Sequence, residues 1–390
     1  MSSHPPVYTD SNTIPARFAR CVASHEDRDA AILTCVTATG AHLGRRSALI
    51  YNGDKIYPTL YSLIITPPST LAAWYRWFRA LTDPPPVKNS GISKAEAVVH
   101  LVRDLVRRPD KVFTEKGADP EWRDTMVDAG IDDKRHLIMQ RLGPELRSRT
   151  SATDRRLRDT LNAGYEDGEM SAYVGYRDGG FHSVKGAHIA LLVPEPDEGI
   201  AAAVYDQLPF LLARAEHTPL DVDLSDLKLE DVVRDLMVLT QDVISEVTVA
   251  SDAMRALQSV QYDARSKRPY SVRTLLRLAH VLAVLEPSPI VTETLLWQAR
   301  AIIEVSESTL GSLHQGRHTL LRDEILEFVR TISPNGLAHH ELVRRFRRRR
   351  NSTADIQIAL DQLAREQELV RKPVKTNGRD RVEWHLPRLQ

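Results

Sequence analysis

The sequence is nearly devoid of cysteine: Cys21 and Cys35 are the only two in 390 residues. They lie fourteen positions apart in one helical-looking segment, too far for a disulfide within a helix. No second pair exists to build a zinc site. The chain is therefore expected to be reduced and cytoplasmic. Net charge is also absent, because 52 Lys and Arg balance 52 Asp and Glu. The molecule as a whole does not call for a polyanionic partner, and any nucleic-acid surface must come from local clustering. Long apolar runs are missing too. Stretches such as Ile189 to Val193 are too short to span a bilayer, and the opening MSSHPPVYTDSNT has no apolar signal core. No membrane partner is expected. There is no internal repeat and no long low-complexity tract.

What is present is ordinary globular composition, 42% apolar and 27% charged, on a chain long enough for two or three domains. Residues 1–13 are polar and Pro-containing and are expected to be disordered. Helical spacing of Phe18, Cys21, Val22, Ala30, Ile32, Leu33 and Val36 predicts a helix over 15–42. IYPTLYSLIITPP (56–68) reads as a buried strand halted by its prolines. LAAWYRWFRAL (71–81) reads as a helix broken by the prolines that follow. SKAEAVVHLVRDLVRR (93–108) is an amphipathic helix with Ser93 and Glu96 as a capping box. A short strand is expected over 136–140, a helix over 153–168 and a strand over 188–196. Strands alternating with helices predict an α/β core with a mainly parallel sheet. From 220 to 315 the pattern turns almost wholly helical, and Leu275, Leu276, Leu278, Ala279, Leu282 and Leu285 mark a buried face. That segment is expected to form a helical bundle or lid.

The tail has a different charge balance. From His314 to Gln390 there are sixteen Lys or Arg and ten Asp or Glu, an excess of six on a chain whose total is zero. Helices are expected over HTLLRDEILEFVRTI, LAHHELVRRF and STADIQIALDQLAREQEL. A hairpin turning at Asn377-Gly378 follows. Three helices and a hairpin are the order of a winged helix, with the third helix in the recognition position and 374–381 as the wing. Arg344, Arg345, Arg347, Arg348, Arg349 and Arg350 crowd the entry to that third helix, a density that suits phosphate contacts. Gln357 and Arg365 are the candidate base or backbone contacts on the helix, and Lys375, Arg379 and Arg381 those on the wing. Two competing readings treat the Arg run as a solvated face or the winged helix as a protein-binding module. Asp355 and Asp361 on the third helix would oppose phosphates, so backbone holding competes with base readout.

No catalytic constellation stands out. His339-His340-Glu341 lacks the i, i+4 spacing of helical metal ligands. His280 on an apolar helix face reads as a satisfied core histidine. Glu166, Asp167 and Glu169 could meet a cation, but a solvated loop explains them more simply. Neither metal nor cofactor is expected.

The order of segments from about Tyr57 onward resembles a family. The carriers are IYPTLYSLII, GISKAEAVVHLVRD, GIDDKRHLIMQRLGPEL, TDRRLRDTLNAGYEDG, GAHIALLV, RTLLRLAHVLAVLE, VTETLLWQA and the winged-helix-like tail. Together they resemble the P-loop ATPase-like, primase–helicase-associated proteins of phages and plasmids, with an AAA+/RecA-like core. The resemblance implies a glycine-rich loop with Lys after the first core strand. This chain reads Thr66, Pro67, Pro68, Ser69, Thr70 there, with neither Gly nor Lys. It also implies a metal-binding acid after the second core strand, where Gln140 and Arg141 stand. A polar sensor is implied after the next strand, which runs Leu192-Val193-Pro194, and an arginine finger near Leu208-Pro209-Phe210. All four parts are missing.

The resulting expectation is an α/β protein with four parts: a disordered 1–13, a degenerate P-loop ATPase-like domain at 14–219, a helical bundle at 220–315 and a winged-helix DNA-binding domain at 316–390. Its expected role is non-catalytic: a pseudo-ATPase that binds double-stranded DNA in the replication or at the origin of a mobile element. Replication proteins or a second copy of the chain are its further expected partners. The alternatives are a DNA-binding transcription regulator or immunity factor, and a divergent active NTPase or helicase.

Overall fold

A computed structural model describes residues 13–22, 27–74, 81, 95–102, 106–112, 121–127, 135–138, 152–175, 180–195, 208–216, 227–241, 243–261, 272–332, 336–347, 353–375 and 381–387. The chain is mixed α/β with strands paired in parallel. It divides into two compact units, Met1–Thr309 and Leu310–Gln390.

The first unit is built on a four-stranded parallel sheet. Its strands are β3 (Tyr61–Ile65), β6 (Arg135–Ile138), β9 (His188–Glu195) and β10 (Phe210–Arg214), in the order β10-β3-β9-β6. β3 and β9 are buried at every position, as strands of a sheet covered on both faces must be. Strand alternation sorts their side chains. Ile64, Ala190, Leu192, Leu211 and Ala213 join a core with α2 (Arg28–Leu43) and α7 (Val272–Leu285). Ser62 shares that side, its hydroxyl 2.5 Å from that of Thr37 on α2. On the opposite side, Tyr61 meets Tyr165 and Phe210 at ring separations of 4.9 and 5.9 Å. Its hydroxyl donates to the carbonyl of Leu161, 2.8 Å away, on α4 (Ala152–Glu166). α1 (Ile14–Val22) packs on α2 and on α5 (Leu227–Gln241).

A second sheet has the order β12-β11-β1-β2. β1 (Ala48–Tyr51) and β2 (Asp54–Ile56) form a hairpin. Its turn, Asn52-Gly53, has φ of 52° and 86°, the positive values that a two-residue hairpin turn requires. β1 also pairs in parallel with β11 (Glu246–Val249), and β11 with β12 (Ile290–Val291). Two further hairpins are β4 (Val106–Val112) with β5 (Glu121–Val127), and β7 (Met170–Gly175) with β8 (Gly180–Val184).

Several expectations change. The single helix over 15–42 is two, α1 and α2. The helix expected to reach 108 is α3 (Ala95–Val102), and the strand β4 starts at Val106, where ladder pairing with β5 wins over helical spacing. The segment 220–315 is no separate helical bundle. The alternating Glu246-Val247-Thr248-Val249 buries Val247 and exposes Glu246 and Thr248, so it adds a strand beside β1, between α5 and α6 (Ser251–Gln261). Ser93 and the turn at Asn377-Gly378 lie outside the described residues.

The second unit begins inside α8 (Glu293–Ile332). It continues through β13 (Leu337–Ala338), α9 (His339–Arg347), α10 (Thr353–Arg365), β14 (Val370–Val374) and β15 (Arg381–His385). The three strands form an antiparallel sheet in the order β13-β15-β14. Its core joins Ile325 and Val329 of α8, Leu342 and Phe346 of α9, Ile356, Leu360 and Leu363 of α10, and Trp384. No helix among the described residues is long and apolar enough to cross a membrane.

Candidate functional site

Two places bear on function: the carboxyl edge of the central sheet and the basic face of the second unit. At the sheet edge, Thr66 continues β3, its amide donating to the carbonyl of Glu195 at 3.0 Å. The chain then turns on itself. The Thr70 amide and hydroxyl both reach back to the carbonyl of Pro67, at 3.0 and 2.8 Å. The Thr66 and Thr70 hydroxyls bond to each other, and both residues are buried. Pro67, Pro68 and Ser69 are exposed. A phosphate-gripping loop needs outward N–H groups and an ammonium. Two consecutive prolines remove two of those donors, and both threonine hydroxyls are spent inside the turn. Trp74 is fully buried on the helical turn 71–74 that follows. Gln140 lies outside the described residues.

Sequence reasoning missed Glu195. It is 0% exposed and sits opposite Ile65 at the carboxyl end of β9, one residue beyond the Pro194 where the sensor position was sought. The signal was an acid closing an otherwise apolar strand. Arg214 takes the matching place at the end of β10, also opposite Ile65. Glu166 and Asp167, considered for a cation, are instead held by Arg273 at 3.1 and 3.6 Å. No cluster of metal-ligating side chains occurs among the described residues.

In the second unit, α9 buries Leu342 and Phe346, four residues apart, and so turns Arg344, Arg345 and Arg347 outward in its last turn. Phe346 meets Phe328 edge-on at 5.5 Å, and the Arg345 guanidinium lies 5.4 Å from the Phe328 ring centre. None of these three arginines makes an ion pair among the described residues. Arg348, Arg349, Arg350 and Arg379 lie outside them. Other cations of the tail are neutralised. Arg322 bonds Asp323 and Glu366, each at 2.8 Å. Arg330 bonds Glu368 at 3.2 Å, and Arg381 bonds Glu383. Gln357 donates to Asp361 at 2.7 Å along α10. Arg365 and Lys375 are exposed, as are Arg371 and Lys372 of β14, a pair not singled out from the sequence. Among the described residues, Arg344, Arg345 and Arg347 form an unneutralised cluster at the end of α9.

His339 opens α9, and its Nδ1 accepts a hydrogen bond of 3.3 Å from the Trp384 indole. Burial, followed by the nearby Arg371, holds its pKa below the usual histidine value. No protein-family model matches the chain, and no curated protein matches it.

Proposed function

We propose that the protein holds double-stranded DNA through its second unit, read as a winged helix, without hydrolysing nucleotide. The observation that carries this is the exposed trio Arg344, Arg345 and Arg347 at the end of α9, which has no acid partner among the described residues. Like charges at neighbouring helix positions repel, and phosphates relieve that repulsion by releasing counterions. The element order supports the reading: helix, short strand, two helices and a two-stranded hairpin, with α10 in the recognition position. Engagement of Gln357 by Asp361 and of Arg381 by Glu383 favours backbone holding over base readout. The closed turn at Thr66–Thr70 supports a first unit that has lost the phosphate grip of the P-loop fold it resembles. The resemblance is what supports a role in replication or origin binding on a mobile element.

One observation favours a second reading. Ile358, 48% exposed on α10, stands between Asp355 and Asp361 and suits a protein partner. Binding of labelled duplex DNA across a salt series, with labelled ATP in parallel, decides. For about six phosphate contacts the affinity falls roughly a thousandfold between about 50 and 200 mM salt. Replacing Arg344, Arg345 and Arg347 to Arg350 with Ala removes most of that slope, and ATP does not bind. Salt-insensitive DNA binding, or saturable ATP binding, overturns the proposal.

A further inference from the structure

At the opposite, amino-terminal edge of the central sheet, the segments entering β3 and β9 border a cleft. Tyr57, Tyr165, Ala187, Arg45, Arg273 and Arg277 are among its lining residues, and its volume is about 290 Å³ out to the open mouth. We propose that this cleft binds a small tetrahedral oxyanion of the phosphate class, gripped by Arg45 and Arg277.

Arg277 carries the argument. It is 2% exposed. Its Nη2 donates to the carbonyls of Tyr165 and Glu166 at 2.5 and 3.3 Å, and its guanidinium stacks on the Tyr165 ring, 3.9 Å from the centre. Its Nε and Nη1 are buried with no hydrogen-bond partner. A guanidinium cannot shed its proton, so these donors call for an acceptor that no described residue provides. The nearby carboxylates do not supply one. Glu166 and Asp167 are taken by Arg273, whose own pKa is raised by the hydrogen bond it donates to Glu166.

Arg45 supplies the second guanidinium. It stacks on Tyr57 at 3.8 Å and, among the described residues, reaches only backbone carbonyls, those of Asp167 at 3.5 Å and Ala187 at 3.4 Å. Its seat depends on the missing side chain of Gly168, where a Cβ would lie 2.3 Å from Arg45 Nη1 and 2.5 Å from the carbonyl oxygen of Ala187. Two guanidiniums, each fixed on a tyrosine face and neither in an ion pair with an acid among the described residues, give the cleft the positive charge and N–H donors that an oxyanion needs. The site is independent of the DNA-holding surface.

The test uses the full chain. Inorganic phosphate is titrated against sodium chloride at matched ionic strength, in about 0.3 M salt so that exposed arginines are screened, with calorimetry and thermal melting as readouts. Saturable binding and a rise in melting temperature specific to phosphate are expected. Arg45→Gln weakens that binding at least about tenfold, while its melting without phosphate stays close to wild type. Competition by a small phosphomonoester separates the two sources: full competition indicates a phosphorylated metabolite, and none indicates the free ion. Equal effects of phosphate and chloride, or unchanged binding in Arg45→Gln, would mean that the cleft holds ordered water only, and the proposal fails.

Discussion

At the scale of single residues, His280 shows how one hydrogen bond fixes a protonation state. The Ser47 hydroxyl donates to the carbonyl of Ile244 at 2.6 Å, so its oxygen accepts from His280 Nε2, 2.7 Å away. Nδ1 is then the unprotonated nitrogen. It is buried without a partner, and burial pushes the pKa down to about 3. The unfolded chain takes up this proton near pH 6.5 while the folded chain does not, so stability falls as pH drops below that value. The loss amounts to about 2 kcal/mol at pH 5. Melting temperatures of wild type and His280→Gln, taken from pH 7 to 5, check this: the variant should show a shallower fall, and parallel curves would refute the assignment. The same neighbourhood contains Gly40, whose carbonyl accepts from His188 Nε2 at 3.0 Å. A Cβ there would sit 2.4 Å from the carbonyl oxygen of Pro58. Gly40→Ala is expected to cost about 1–3 kcal/mol, read as a lower denaturant midpoint. Some of this chemistry is visible in the sequence: an apolar helix face made His280 a core residue. The unpaired nitrogens of Arg277 are not visible, because burial of its side chain depends on α4 packing over α7. Cys35 shows the same dependence, since only its buried place on α2 lifts its pKa to about 12 and leaves it inert.

At the scale of elements, the strands buried at every position were the easiest to read. β3 and β9 fall inside the expected segments because a strand buried on both faces needs no alternation to be found. β11 was hidden for the opposite reason. Four residues with one buried side chain carry too little pattern to interrupt a helical reading, and the partner that makes them a strand, β1, is nearly two hundred positions earlier. The hairpin at Asn52-Gly53 carried the same Asn-Gly signal that was read at 377–378, but β2 is only three residues long. In the second unit, α9 is nine residues long, too short to persist alone in water, so its basic end is presented only while Leu342 and Phe346 stay docked. Phe346→Ala should cost about 3–5 kcal/mol and weaken DNA binding together with stability. Thermal melting followed at Trp384, alongside the DNA titration, checks the link; full DNA affinity in a destabilised variant would place the phosphate contacts elsewhere.

At the scale of the whole molecule, neutrality conceals a separation of charge. The tail from His314 has an excess of six cations, so the remaining 313 residues carry an excess of six acids. A polyanion approaching that larger part meets net repulsion within a Debye length. On the proposed DNA-holding role, the first unit as a whole adds no net attraction, and affinity is expected from the cations of the second unit that have no acid partner among the described residues. This makes the response to substitution steep. Removing the six arginines from Arg344 to Arg350 takes the tail to neutrality on a molecule that is then acidic overall. Residual duplex binding should be weak even at about 50 mM salt, where screening is slight and any remaining basic surface would show. Arg45→Gln, which removes a cation from the cleft, should leave the salt slope unchanged. Substantial DNA binding by the six-alanine variant would mean that the first unit gathers its own cations into a basic face despite its acidic total, and the division of labour between the two units would then be wrong.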